Sequence, residues 1–222
     1  MTVRLLGLMM EAEITREIDN FDALGLFSSE MLRDEVMERI PAWHYEGISC
    51  IRYAPNEFER YYLGGDRTVL GAYRKATHEI FINSFDMGGL LGELVQLKAA
   101  AVVWSDTLDL LGRKRERVEK TAVCFERFRK KVLGTVYHEI GHHLYGRLSE
   151  RDADFRGLWE RIFQLPSRKV SHYATTSPEE NFAECYRVYV CQRKTINQVL
   201  FQTECSAMRD IFQRKALFSV PQ

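Results

Sequence analysis

None of the five cysteines in this 222-residue chain has a partner at CxxC spacing and their number is odd, which argues against both a disulfide framework and a cysteine-built zinc site. Cys50, Cys124, Cys185, Cys191 and Cys205 read instead as reduced, mostly buried thiols. An excess of charge of one sign is also missing. Lys and Arg number 31 and Asp and Glu 31, so the molecule as a whole offers no electrostatic case for nucleic acid or an anionic membrane as its main partner. The locally basic run Gly112–Lys120 is interleaved with glutamates and reads as a solvated helix face. Long apolar runs are lacking as well. Leu5–Met10 is too short for a secretory h-region or a membrane span, and acidic residues follow at once. A cytoplasmic location is the default expectation, with a secreted or delivered form left open. No repeat or low-complexity tract interrupts the chain.

What is present is enough apolar residue, 45%, to bury a full core, and the expectation is one catalytic domain spanning 1–222. Residues 1–45 read as a mainly helical segment, with Ser28 or Ser29 capping Glu30–Ile40 before Pro41 stops the helix. A small sheet is expected within 46–85, from strands at 47–53, 68–75 and 77–82 with a turn at Gly64–Asp66. His78, Phe81 and Asn83 fall on the last strand, where an unpaired edge would bind an extended peptide by strand addition; an ordinary paired strand is the alternative. Residues 86–222 turn helical, in segments 90–111, 115–146, 150–164, 178–193 and 195–216. A sheet followed by helices is an α+β fold, and this order suits a compact zincin-like metallopeptidase.

The chemistry concentrates in His138-Glu139-Ile140-Gly141-His142. Val132, Val136, Ile140 and Leu144 recur every four residues around it, with Leu133 one turn from Val136, so the motif lies on a helix with a buried stripe. Two histidines four apart share a face and reach one ion, while Glu139, one residue after the first, faces a metal-bound water without occupying the metal. Zinc with three protein ligands keeps a position for that water and lowers its pKa to about 7. His143 lies about 100° further round the helix and reads as structural.

A third ligand is needed. In the segment His172–Glu184, Ser177 is a good N-cap, Pro178 suits the first helical position, and Glu179 and Glu180 complement the helix dipole. Glu180 and Glu184 share a face, so one carboxylate can bind metal while the other orients a ligand histidine. Glu180 ranks ahead of Glu184 as the ligand, with His172 and Asp154 behind. A capping box, Glu180 folding back onto the Ser177 backbone, is the competing reading.

HEIGH, Tyr173 and the stretch Glu179–Tyr186, EENFAECY, together resemble the zinc metallopeptidase domain shared by anthrax lethal factor and the clostridial Pro-Pro endopeptidases. In that family a tyrosine precedes the ligand glutamate by seven residues and a second glutamate follows it by four, intervals that Tyr173, Glu180 and Glu184 reproduce. The resemblance is clearest over 132–193, with weaker support from Ala76–Asn83, and Asn181 and Cys185 depart from it. It implies Zn2+ on His138, His142 and Glu180, Glu139 as general base, Tyr173 as oxyanion stabiliser and Glu184 as support for His138. The expected activity is a zinc-dependent endopeptidase acting on a protein or peptide. A zinc-bearing binding protein without turnover and an aminopeptidase-like exopeptidase are the alternatives; the chain contains no separate motif for an amine-binding acidic subsite.

Overall fold

The computed structural model describes residues 18–19, 21, 28–54, 70–83, 113–166, 169–191 and 202–213. Within these the chain is α+β, with a small mixed sheet and five α-helices. The expected turn at 64–66 and helix at 90–111 lie outside the described residues.

Strand β1 (Ile18–Asp19) precedes α1 (Ser29–Arg39) and corrects the expectation of a sheet confined to 46–85: it is held by pairing with Ile51 and Arg52, a distant partner that no local pattern in 1–45 encodes. The Ser28 hydroxyl caps α1 by accepting from the Met31 N–H at 3.1 Å, and the chain leaves the helix at Ile40, whose extended backbone is what a following proline imposes. Leu32 and Val36, one turn apart, form its buried face. A 3-10 turn (Ala42–His44) leads to β2 (Cys50–Tyr53), β3 (Gly71–Arg74) and β4 (Glu79–Ile82). The sheet order is β1-β2-β4-β3, with β2 parallel to β1 and β4, and β3 antiparallel to β4.

That order decides for the paired strand over a free edge at His78, Phe81 and Asn83. Strand β4 is paired on both sides, Ile80 with Ile51 of β2 and with Tyr73 of β3. His78 belongs to the hairpin turn, at φ 55°, and Asn83 continues the hairpin by donating its N–H to the Leu70 carbonyl at 2.7 Å. The reason is the hairpin itself: β3 folds back over the edge that β4 would otherwise leave open, so among the described residues β3 takes the edge position.

Helix α2 (Arg113–Arg151) carries HEIGH in its C-terminal half and buries Val132, Val136, Ile140 and Leu144, the expected stripe. Asp152 caps α3 (Ala153–Gln164), whose Phe155, Trp159 and Ile162 face inward. After a 3-10 turn (Tyr173–Thr175) comes α4 (Pro178–Cys191), then α5 (Gln202–Gln213). Phe182 of α4 packs edge-on to Trp159 and Phe155, ring centroids 4.8 Å and 5.6 Å away. One apolar cluster runs from Phe21 through the sheet and α2 to Ile211.

Helices α2 and α4 meet at a glycine. A Cβ on Gly141 would lie 2.7 Å from the Ala183 Cα and 3.3 Å from its carbonyl oxygen, so only hydrogen lets the two backbones approach this closely. A Cβ on Gly146, five residues later and on another face of the helix, would meet nothing within 4 Å. Gly141→Ala should therefore cost about 1–3 kcal/mol by overpacking, whereas Gly146→Ala should be neutral or stabilise by up to about 1 kcal/mol through helix propensity. Urea midpoints of the two variants read the contrast, and equal midpoints would refute the packing argument.

Candidate metal centre

The close approach of α2 and α4 puts one carboxylate against two imidazoles. His138 Nε2 and His142 Nε2 are 3.1 Å apart, and Glu180 Oε2 lies 3.2 Å from the first and 3.3 Å from the second. These three atoms form the one group of His, Cys, Asp or Glu ligand atoms with metal-binding spacing among the described residues. The distances match the donor set: ligand bonds of about 2.0–2.1 Å in a tetrahedron place donors about 3.3 Å apart. Glu180 Oε2 is also buried and accepts no well-aligned hydrogen bond, despite the two nitrogens beside it. Three lone-pair atoms thus face a common point rather than each other, which fits a divalent cation.

The capping-box alternative resolves in favour of a divided role. The Ser177 hydroxyl caps α4 by accepting from the Glu180 N–H at 3.1 Å, while the Glu180 side chain turns to the histidines. Of the other ligand candidates, Glu184 sits behind His138, its Oε1 2.9 Å from Nδ1, and Asp154 and His172 are not in the group. A carboxylate on Nδ1 draws the proton to that nitrogen and leaves the Nε2 lone pair for a ligand. Glu184 is itself held by Arg187 Nη2 at 2.8 Å.

His142 has the same kind of support from a residue that the sequence reading treated only as helix-dipole charge. Glu179 Oε1 lies 3.3 Å from His142 Nδ1. The signal was present in the pair Glu179-Glu180, because two ligand histidines each call for a partner on the second ring nitrogen. His143 points away from the group, its Nε2 at 2.9 Å from the Glu46 carbonyl and its Nδ1 at 3.0 Å from the Tyr73 hydroxyl. An Nε2–H donates to that carbonyl, so Nδ1 accepts from Tyr73; burial pushes the His143 pKa down to about 4, consistent with a neutral ring.

Glu139 is buried beside the two histidines, and its carboxyl receives the Tyr73 backbone N–H. Burial raises its pKa, partly offset by His138 and His142. Gly71 makes this possible: a Cβ there would lie 2.7 Å from both Glu139 Oε1 and Thr135 Cγ2, so strand β3 can run against the helix only without a side chain. Tyr173 stands on the rim, 53% exposed, with its ring 5.8 Å from that of His138. Partial burial, then Glu180 and Glu139, push its pKa up to about 12, which keeps the phenol a hydrogen-bond donor at neutral pH. Asn181 is fully buried and donates to the Ala174 carbonyl at 3.2 Å, tying α4 to the turn that carries Tyr173.

Acids dominate the electrostatics. Burial would raise Glu180 and Glu184, but the adjacent histidines, and Ser171 and Arg187 for Glu184, bring both to about 2. Burial would lower His142, but Glu179 and Glu180 carry it up to about 10, and Glu180 and Glu184 likewise raise His138. No helix among the described residues is long and apolar enough to cross a membrane. Comparison with protein families, with curated proteins and with solved structures found no match to this chain.

A metal entering this group must displace the imidazole protons. Because both histidine pKa values are raised, apparent affinity should climb as pH rises through the neutral range instead of levelling off above 6.5, the ordinary imidazole value. Loading with Zn2+ at pH 7 should release about one to two protons per ion. Calorimetry in buffers of different ionisation enthalpy counts them, and a count of zero would contradict the electrostatics described.

Proposed function

We propose that the protein is a zinc-dependent endopeptidase with a zincin-like arrangement, of the type its sequence motifs resemble in anthrax lethal factor and the clostridial Pro-Pro endopeptidases. The observation that carries the reading is the convergence of His138 Nε2, His142 Nε2 and Glu180 Oε2 within 3.1–3.3 Å of one another, with Glu139 and Tyr173 beside them. When bound there, zinc supplies Lewis acidity, polarising a carbonyl and acidifying a water. Glu184 and Glu179 hold the imidazoles with Nε2 forward. Glu139 takes the proton of the attacking water and returns it to the leaving amine, a task that suits a carboxylate whose pKa burial has raised. Tyr173 donates its phenolic proton in a hydrogen bond to the carbonyl oxygen as negative charge develops there.

Internal cleavage is favoured over terminal trimming by the shape of the cleft. Two cavities, of about 550 Å³ and 450 Å³, both include Gly71, His138, Glu139 and Tyr173 in their walls. The groove therefore continues on both sides of the reactive group, and β3 lies along it as the edge strand among the described residues, where a peptide can pair.

Zinc-loaded wild-type protein should cut peptides internally in a mass-spectrometric library profile, and a chelator should abolish the cuts. Glu139→Gln should keep zinc and lose most activity. Tyr173→Phe should lower kcat by about 10²–10³-fold, and Glu180→Ala should lose the metal. Equal activity of Glu139→Gln and wild type would sink the mechanism; N-terminal trimming alone would favour the exopeptidase, and no cleavage at all the binding protein.

A further inference from the structure

Tyr173 stands beside the metal-binding group without being held there by burial. It is 53% exposed, yet its ring lies 5.8 Å from that of His138 and its hydroxyl faces the Glu180 carboxylate. An exposed ring gains little from packing, so the backbone that carries it must set its place. That backbone is the 3-10 turn Tyr173–Thr175. The Thr175 N–H and hydroxyl donate to the His172 carbonyl at 3.0 and 2.6 Å, and the Thr176 N–H and hydroxyl to the Tyr173 carbonyl at 3.1 and 2.8 Å. The Ala174 N–H donates to the Ser171 hydroxyl at 3.1 Å. All of these bonds join near neighbours in sequence; they shape the turn but do not attach it to the metal-binding helices.

Among the described residues, two side chains make that attachment to α4. Ser171 also hydrogen-bonds Glu184, so it is tied up with the support of His138. Asn181 donates its amide to the carbonyl of the fully buried Ala174 at 3.2 Å. It follows Glu180 by one residue, about 100° further round the helix, so the carboxylate turns to the histidines while the amide reaches the turn. The span from Ala174 to Asn181 runs beside the span of equal length from Tyr173 to Glu180, and a bond that fixes the first fixes the second.

Stability does not account for an amide at this position. Asn181 is fully buried, and its Oδ1 has no hydrogen-bond partner among the described residues. An apolar side chain would remove that orphan and take the amide away from the Ala174 carbonyl, exchanging one unmet polar group for another with little net effect on folding. What the amide specifically supplies is the location of the turn.

We propose that Asn181 is a positioning residue that holds the Tyr173 hydroxyl at the metal-binding group. Its consequence for turnover rests on the peptidase reading, but the placement of Tyr173 does not. A misplacement of about 1 Å can cost about 10²-fold in rate, so loss of the amide should lower kcat by about 10–10²-fold with KM little changed. Zinc affinity should stay within about threefold of wild type, because Asn181 supports no ligand, whereas losing a ligand's own partner costs about 10–100-fold.

The test uses Asn181→Leu and Asn181→Ala in two arms. In the first, the chain is labelled with fluorotyrosine, and the Tyr173 line in the fluorine NMR spectrum is assigned by its absence from Tyr173→Phe. Zn2+ should move that line in the otherwise wild-type chain, and should bind both Asn181 variants without moving it. A line that follows zinc in both variants, or that ignores zinc in the wild type, would overturn the proposal. Loss of zinc affinity or of the fold in both variants would mark a merely structural role and overturn it as well. In the second arm, kcat and KM are measured on a peptide that the wild type cuts internally. The Asn181 changes should lower kcat in the wild-type background but by less than about twofold in Tyr173→Phe, since residues acting through one another are not additive. Equal losses in both backgrounds, or a change in KM alone, would overturn the proposal. If the wild type cuts nothing, the peptidase reading fails and the NMR arm still decides whether Asn181 places Tyr173.

Discussion

The contact on which the site depends is the approach of α2 to α4 at Gly141 and Ala183. Neither helix holds a metal-binding set alone. His138 and His142 stand on one, Glu180 on the other, and each imidazole is steadied across the gap by a carboxylate of α4, His138 by Glu184 and His142 by Glu179. A wider separation would leave the same residues on the same faces, yet the Oε2 of Glu180 would no longer reach both nitrogens. The apolar packing around Phe182, Trp159 and Phe155 anchors α4 at that separation, so core and site share one piece of geometry.

Charge is the second constraint. Four carboxylates, Glu139, Glu179, Glu180 and Glu184, surround two imidazoles, and much of the cluster is withdrawn from water. Burying anions costs several kcal/mol each unless positive charge is near. Without metal, the histidines provide it by keeping protons they would ordinarily lose near neutrality. A divalent cation can replace those protons with little change in local charge, which is why the same cluster is tolerable in both states. Glu139 differs from the other three: it has no short partner among the imidazole nitrogens and is held by a strand amide, so burial moves it toward the protonated form.

Much of this was legible along the chain. The cap at Ser28, the stop before Pro41 and the four-residue stripe through HEIGH depend on neighbours in sequence, and the helices formed where those signals stand. The Glu180/Glu184 pair was readable because residues four apart on a helix share a face. The three strands within 46–85 were readable too, but β1, in the segment read as helical, and the strand order were not: nothing local in Ala76–Asn83 tells that a parallel partner covers one edge and the β3 hairpin the other. Gly71 was equally silent, because its meaning lies in the Glu139 carboxylate pressed against it from another element.

The residue types and spacings by themselves determined the candidate chemistry, since two histidines and two glutamates at helical intervals carry their geometry with them through the local 3.6-residue repeat. Which glutamate faces the histidines, that Glu179 supports His142 and that Tyr173 stands on the rim were decided only in three dimensions. Those relations join positions 35 residues apart or more, and their distances are set by helix separation and backbone contact, quantities that no local pattern encodes.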